Sequence, residues 1–409
     1  MKKWPFFIGV NLLLVLGIFF CALLGKAFGI QGPALAISVV WPATGLSLAA
    51  LLLFGYYAGA GVFFGNLAYN LLFLTDYTPN SSLTLFQIKI VAIIISLGSL
   101  IQALISTYII RTYSTPLIFR TVQDIFIFLI PAGLLCCLIS STVGVTTLAV
   151  SGGIDRSMVL PVWLAFWLGD TTGIYVITPL IISWILQRQE VKFSDHVPAI
   201  VGMASLFIIF SFISYFSNTP LPHLYVPISI WAAYLFRIHG ASLTIFLMTA
   251  ASLGFASYNG YEGTSLISLI SFIGVIIGAS LIIAAIVNER TEAWALLDSR
   301  NFYLEKEVDV KEVVLEQIRS RIVQQQNLVV KGSLSKLIVP QIQVPLSTIE
   351  LVTKTSQKTL DEIQNFLTEQ KNLTPAENKL FADRLKQIGQ GLFLTEDSRK
   401  LIADILDGL

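Results

Sequence analysis

The sequence predicts an all-α fold: a polytopic helical membrane domain of about ten spans, then a cytoplasmic coiled coil and a helical hairpin. Three observations carry this. Of 409 residues, 55% are hydrophobic and only 12% are charged, against about 25% charged in a soluble chain. The charges are unevenly placed: residues 1–287 hold 10 Lys/Arg and 7 Asp/Glu, while residues 288–409 hold 16 and 18. Heptad-spaced apolar residues open the second part. The divisions read from this are 1–287 (membrane domain), 288–331 (signalling helix) and 332–409 (helical region).

A span needs about 20 mostly apolar residues. Ten stretches qualify: 6–25, 34–54, 57–75, 90–110, 124–148, 160–186, 198–216, 224–236, 241–257 and 264–287. The eighth and ninth are short and can form one broken unit. The first follows a basic start, Met1-Lys2-Lys3. Its apolar run exceeds the ~7–15 residues of a signal peptide, and no clear small-x-small cleavage site follows, so it reads as a retained helix.

Lys and Arg collect in short cytoplasmic loops. With the N-terminus inside, the inner loops hold Lys2, Lys3, Arg111, Arg120, Arg188, Lys192, Arg237 and Arg290, and the outer loops hold Lys26, Lys89 and Arg156. This supports an even number of spans with both termini in the cytoplasm. The outer loops are too small for a ligand-binding domain, so any sensing falls to the membrane domain.

Polar residues inside spans mark candidate sites. Asp170 sits mid-span in "FWLGDTTGIYVITP". A carboxylate at that depth costs roughly 2.5–3.5 kcal/mol on insertion scales and belongs in a protein interior or wet cavity. Asn66 and Asn70 share one helix face at i and i+4, and Asn66 matches Asp170 in depth. It is the first expected partner, although interhelical bonding alone explains both asparagines. Trp41-Pro42 followed by Gly45 reads as a broken helix mouth. Cys21, Cys136 and Cys137 read as buried hydrophobes; no cofactor or metal is expected. No basic run with interleaved aromatics suggests nucleic acid, and the net charge of +1 identifies no partner.

Together, "WPATGLSLAALLLFGYYAGAGVFFGNLAYNL", "FWLGDTTGIYVITPLI" and "LYVPISIWAAYLFRIHGASLTIFLMTAASLGFASYNG" resemble the bacterial membrane-associated sensor domain of the MASE-one type, ending at "NERTEA". The resemblance implies an integral-membrane input module joined to histidine kinases, cyclic-di-GMP enzymes and related outputs, with no defined ligand. The positions matching its recurrent motifs are Trp41, Pro42, Gly45, Gly65, Asn66, Gly169, Asp170 with its neighbour Thr171, Pro227, Trp231 and Arg237.

In the tail, position a of the heptads falls at Asn301, Val308, Leu315, Ile322 and Val329, and d at Leu297, Leu304, Lys311, Ile318 and Gln325. This suits a parallel homodimer through residues 294–330, weakened at Lys311 and Gln325; a single amphipathic helix packed within its own chain is the plainer alternative. The next block, "GSLSKLIVPQIQVPLSTIEL", resembles a histidine kinase's dimerisation and phosphoacceptor helix. There a Gly-x-Leu entry leads to His-Glu-x-x-x-Pro-Leu. Pro345 and Leu346 match the kink, but Pro340 stands at the phosphoacceptor position and Gln341 at the acid. "NLTPAENKLFADRL" starts a second helix with Thr374 as N-cap, and no Asn box or glycine-rich ATP-binding loop follows. The reading is a non-catalytic membrane sensor or scaffold that acts by protein contact. Its expected partners are a histidine kinase, a response regulator or another membrane protein, besides the lipid bilayer. The alternatives are a transporter or channel with a helical assembly tail, and a fragment of a longer histidine kinase.

Overall fold

The computed structural model describes residues 4–27, 30–31, 36–37, 40–77, 84–115, 118–186, 193–217, 221–259, 263–329 and 335–369, with residues 379, 383, 385, 386 and 400. They form two compact units, Met1–Asp298 and Ser299–Leu409. The first is built from α1 (Trp4–Ala27), α2 (Pro42–Phe54), α3 (Gly59–Tyr77), α4 (Leu85–Tyr113), α5 (Val122–Ile127), α6 (Cys137–Val150), α7 (Val159–Leu186), α8 (Val197–Ser217), α9 (Val226–Tyr258) and the first part of α10 (Gly263–Val329). A π-helical segment, Phe128–Leu135, joins α5 to α6. A two-stranded antiparallel turn, Ile30–Gln31 with Ala36–Ile37, is the one departure from helix among the described elements.

The fold is a polytopic helical membrane bundle. Eight helical stretches of the described residues are long and apolar enough to cross a bilayer, two fewer than the ten stretches read from the sequence. Among its described residues, the second expected span, 34–54, is helical from Pro42 on, after the strand Ala36–Ile37. At 13 residues α2 is about 20 Å long, short of a ~30 Å hydrocarbon core. The eighth and ninth form one element, α9, which folds back at Arg237 (φ 50°, ψ −133°). A Cβ built at Gly240 would overlap the carbonyl oxygen of Ala232, whereas eight residues of straight helix span about 12 Å. Its arms, 226–236 and 238–258, therefore lie side by side.

Local chemistry sets the boundaries. Pro42 opens α2, where its missing N–H costs nothing. Gly55, at φ 79°, ends it in a conformation that suits glycine. Arg111 then donates to the carbonyls of Leu51 (3.0 Å) and Leu52 (2.9 Å), a cation at a helix C-terminus. Thr84 with Gln87, and Thr121 with Asp124, form capping boxes at α4 and α5.

Asp124 does more than cap. It is 1% exposed and accepts from Thr115 N (2.8 Å), Thr115 Oγ1 (2.7 Å), Arg120 N (3.2 Å) and Thr121 N (3.1 Å). One carboxylate thus organises the α4–α5 connection. Asp124→Ala is expected to lower stability by about 2 kcal/mol, since it strands several partly buried donors, and to speed amide exchange at Thr115, Arg120 and Thr121. Unfolding in detergent and hydrogen exchange read both; unchanged exchange at those amides would disprove this role.

The second unit holds the rest of α10 and α11 (Ser335–Glu369). α11 runs through Pro340 and Pro345 and forgoes their N–H bonds, to the carbonyls of residues 336 and 341. Asn301, Leu304, Lys311, Leu315, Ile318, Ile322 and Gln325 are each partly buried. Lys311 Nζ reaches Ser356 Oγ (3.2 Å) and Glu307 Oε1 (3.1 Å), and Ser356 donates to Glu307 (3.2 Å). The heptad stripe is therefore partly covered by the chain's own α11, whose Ser356, Leu360 and Ile363 are buried. The helical hairpin pairs α10 with α11. The helix expected from Thr374 lies outside the described residues.

Candidate functional site

The motif stretches of the first half meet in the middle of the bundle, where α2 begins against the side of α7. The Trp41 N–H donates to the Gly169 carbonyl at 2.9 Å, and Thr178 Oγ1 donates to the Gly45 carbonyl at 2.9 Å. No side chain fits between the backbones. A Cβ at Gly45 would overlap the Gly173 carbonyl oxygen, and one at Gly173 would overlap that of Trp41. The Trp41 ring packs edge-on to Tyr69, with centroids 5.2 Å apart.

This contact puts Asp170 beside the first turn of α2. Its Oδ1 accepts from Thr44 Oγ1 at 2.6 Å and its Oδ2 from Ser140 Oγ at 2.5 Å. The carboxylate, 8% exposed, thus has a short bond on each oxygen and the positive end of a helix nearby. Cys137, one turn before Ser140, is reached by Gln102 Nε2 at 3.7 Å. Gln102 Oε1 and Thr171 Oγ1 are buried with no hydrogen-bond partner among the described residues. One buried acid therefore sits in a neutral polar cluster with spare acceptor and hydroxyl capacity.

The π segment shapes one wall. A wide turn frees backbone carbonyls from the regular ladder, and side chains take them up: Ser106 bonds to Ala132 O (2.7 Å), Trp167 Nε1 to Leu134 O (2.8 Å), and Tyr175 OH to Leu129 O.

Of the expected site residues, Trp41, Pro42, Gly45, Gly169, Asp170 and Thr171 come together here. Asn66 does not supply the expected partner to Asp170: its Nδ2 donates to Val62 O, 2.9 Å away in its own helix. Asn70 bonds Ser96 across α3 and α4 (3.1 Å). Gly65 lies where a Cβ would press on Ile18. Pro227, Trp231 and Arg237 belong to the first arm and bend of α9, where the Trp231 ring faces Gly202 of α8. Pro340, Gln341 and Pro345 lie in α11, in the other unit. Residue-type reasoning missed Thr44, Ser140 and Gln102. The signal for Thr44 was its place inside "WPATG"; Ser140, in "CCLISSTVG", offered only a polar break in an apolar run.

A second constellation surrounds the root of α10. Arg237 Nη1 donates to Asn288 Oδ1 (3.3 Å), and Asn288 Nδ2 to Arg120 O (3.1 Å) and Glu292 Oε1 (2.9 Å). Arg120 pairs with Glu292 at 3.0 Å, and the Val122 N–H donates to Glu289 Oε1 at 2.9 Å. The α9 bend and the α4–α5 connection thus grip one turn of α10.

A family model described as MASE1 matches residues 10–291. No curated protein and no solved structure matches the chain.

Proposed function

The chain belongs to the MASE1 family of membrane-associated sensor domains, and from that premise we propose that it is a non-catalytic membrane sensor whose output is protein contact through its tail. The observation that carries this is the grip on Asn288, Glu289 and Glu292, because α10 is a single helix from Gly263 to Val329. A shift of the α9 bend or of the 120–122 backbone acts directly on the helix that leads into the tail. Arg120 and Arg237 cluster with α10's exit, which supports a cytoplasmic tail and an inner-membrane location.

The tail works as a dimer in this reading. Tyr303, Val310, Val313 and Val314 form an exposed apolar face on α10, separate from the stripe that α11 covers, and a second hairpin can bury it. Pro340 and Gln341 at the phosphoacceptor and acid positions support a relay that has lost kinase chemistry. Its partner is then an intact histidine kinase or a response regulator. Purified chain incubated with labelled ATP is expected to incorporate no phosphate; incorporation would refute the non-catalytic reading. Val313→Cys is expected to yield disulfide dimers in membranes, and Asn288→Ala to change that yield at least twofold. Monomer alone would count decisively against the dimer.

A second reading, transport, draws on the paired short helices. α2 and the first arm of α9 each follow a long helix, carry proline in the first turn and end at a positive-φ residue. Paired discontinuous helices are a transporter feature. Solute flux in proteoliposomes separates the two.

A further inference from the structure

The second half of the membrane domain has a cavity of its own, away from Asp170. It measures about 380 Å³ and lies between α8, Tyr225 and the second arm of α9, at the low end of ligand-site sizes. Ser211, Ser214, Tyr225, Ser252, Phe255 and Tyr258 stand on its wall, and among the described residues no charged one does. The Ser211 and Tyr225 hydroxyls bond each other at 3.0 Å, and Ser214 Oγ accepts from Leu221 N at 3.3 Å.

One hydroxyl on this wall is left open for a ligand. Ser252, 3% exposed, has a hydroxyl with no partner among the described residues. Thr249, one turn away on the same face and also 3% exposed, has another. Buried polar atoms are normally paired, so the Ser252 orphan on the cavity wall, with Thr249 one turn behind it, marks a place for a bonding group. A full charge would enter without a counter-ion, at high desolvation cost.

We propose that this cavity binds a small neutral molecule carrying an acceptor oxygen, such as a carbonyl, on an apolar or aromatic body. The inference rests on the sensor reading for its purpose: the second arm of α9, which lines the cavity, leaves the bend where Arg237 holds Asn288, so a ligand pressed against that arm acts on the root of α10.

The test uses the full chain in lipid nanodiscs and fluorine NMR of three probes, with empty nanodiscs subtracted. 4-Fluoroacetophenone is expected to bind saturably, at least fivefold tighter than fluorobenzene, and 4-fluorobenzoate not to bind. Ser252→Ala should weaken the ketone at least fivefold. Gly254→Leu should abolish binding, since a Cβ there meets open space and the longer side chain fills the cavity. Should the leucine variant fail to fold, Ser252→Ala still decides. Equal binding of ketone and fluorobenzene, or ketone binding unmoved by Ser252→Ala, would overturn the site. Saturable ketone binding that leaves the Val313→Cys dimer yield unchanged would uphold the site and overturn the relay.

Discussion

Gly173→Val is expected to prevent the membrane domain from folding. A Cβ at this position has no room: it would overlap the Trp41 carbonyl oxygen, with Trp41 C and N also close. Backbone atoms cannot rotate away as a side chain can, so α2 would have to leave α7. That separation would break the Trp41–Gly169 and Thr178–Gly45 bonds and pull Thr44 from Asp170. Overpacking alone costs about 1–3 kcal/mol, and the stranded polar groups add to it. A loss above about 3 kcal/mol is large against the ~5–15 kcal/mol stability of a typical protein. Gly274→Ala is the control. Its Cβ meets nothing within 4 Å, and alanine is the better helix former by about 1 kcal/mol. Stability in detergent should therefore fall steeply for the first variant and hold or rise for the second. Equal stabilities would show that the α2–α7 contact is not close-packed.

The same contact shows what the sequence could and could not convey. Hydropathy and charge placement were enough for a polytopic helical membrane fold, because the bilayer demands long apolar helices of any chain that crosses it. They could not show where α2 starts. Residues 34–41 are as apolar as the helix after them, and only Pro42 marks the change. Nor could they show the reversal in α9, since the turning residue is Arg237 and neither proline nor glycine stands at the bend itself. Asn66 was matched to Asp170 by depth, yet depth along a helix does not fix the direction a side chain faces. Thr44 and Ser140 face the acid because the glycine contact and the π segment set the rotation of α2 and α6. In the tail, the heptads identified a stripe seeking cover but not its partner. An amphipathic stripe looks alike whether its own α11 or a second chain covers it. The grip on Asn288 was hidden for a simpler reason: its bonds join Arg120, Arg237 and Glu292, which lie far apart along the chain.

Asp170→Asn is expected to leave the domain folded and to change its signalling. The substitution keeps the volume and one carbonyl oxygen, so either Thr44 or Ser140 keeps its acceptor. The other hydroxyl can turn to accept from the new amide. The stability loss should stay near 1–2 kcal/mol, the scale of one charge-assisted bond replaced by a neutral one. What is lost is the buried charge, which costs roughly 2.5–3.5 kcal/mol to insert and which no packing need explains. Asp170→Leu sets the scale for a purely structural role: it strands both hydroxyls and should destabilise more. Both variants would be made in the Val313→Cys background, so that unfolding in detergent reports stability and disulfide yield in membranes reports the tail. A signalling acid predicts that Asp170→Asn shifts the yield at least twofold at near-normal stability. A structural acid predicts that any change in yield follows stability, with Asp170→Leu the more severe and Asp170→Asn close to the parent. The second pattern would remove Asp170 from the signalling mechanism and leave it as the bond that fastens α2 and α6 to α7.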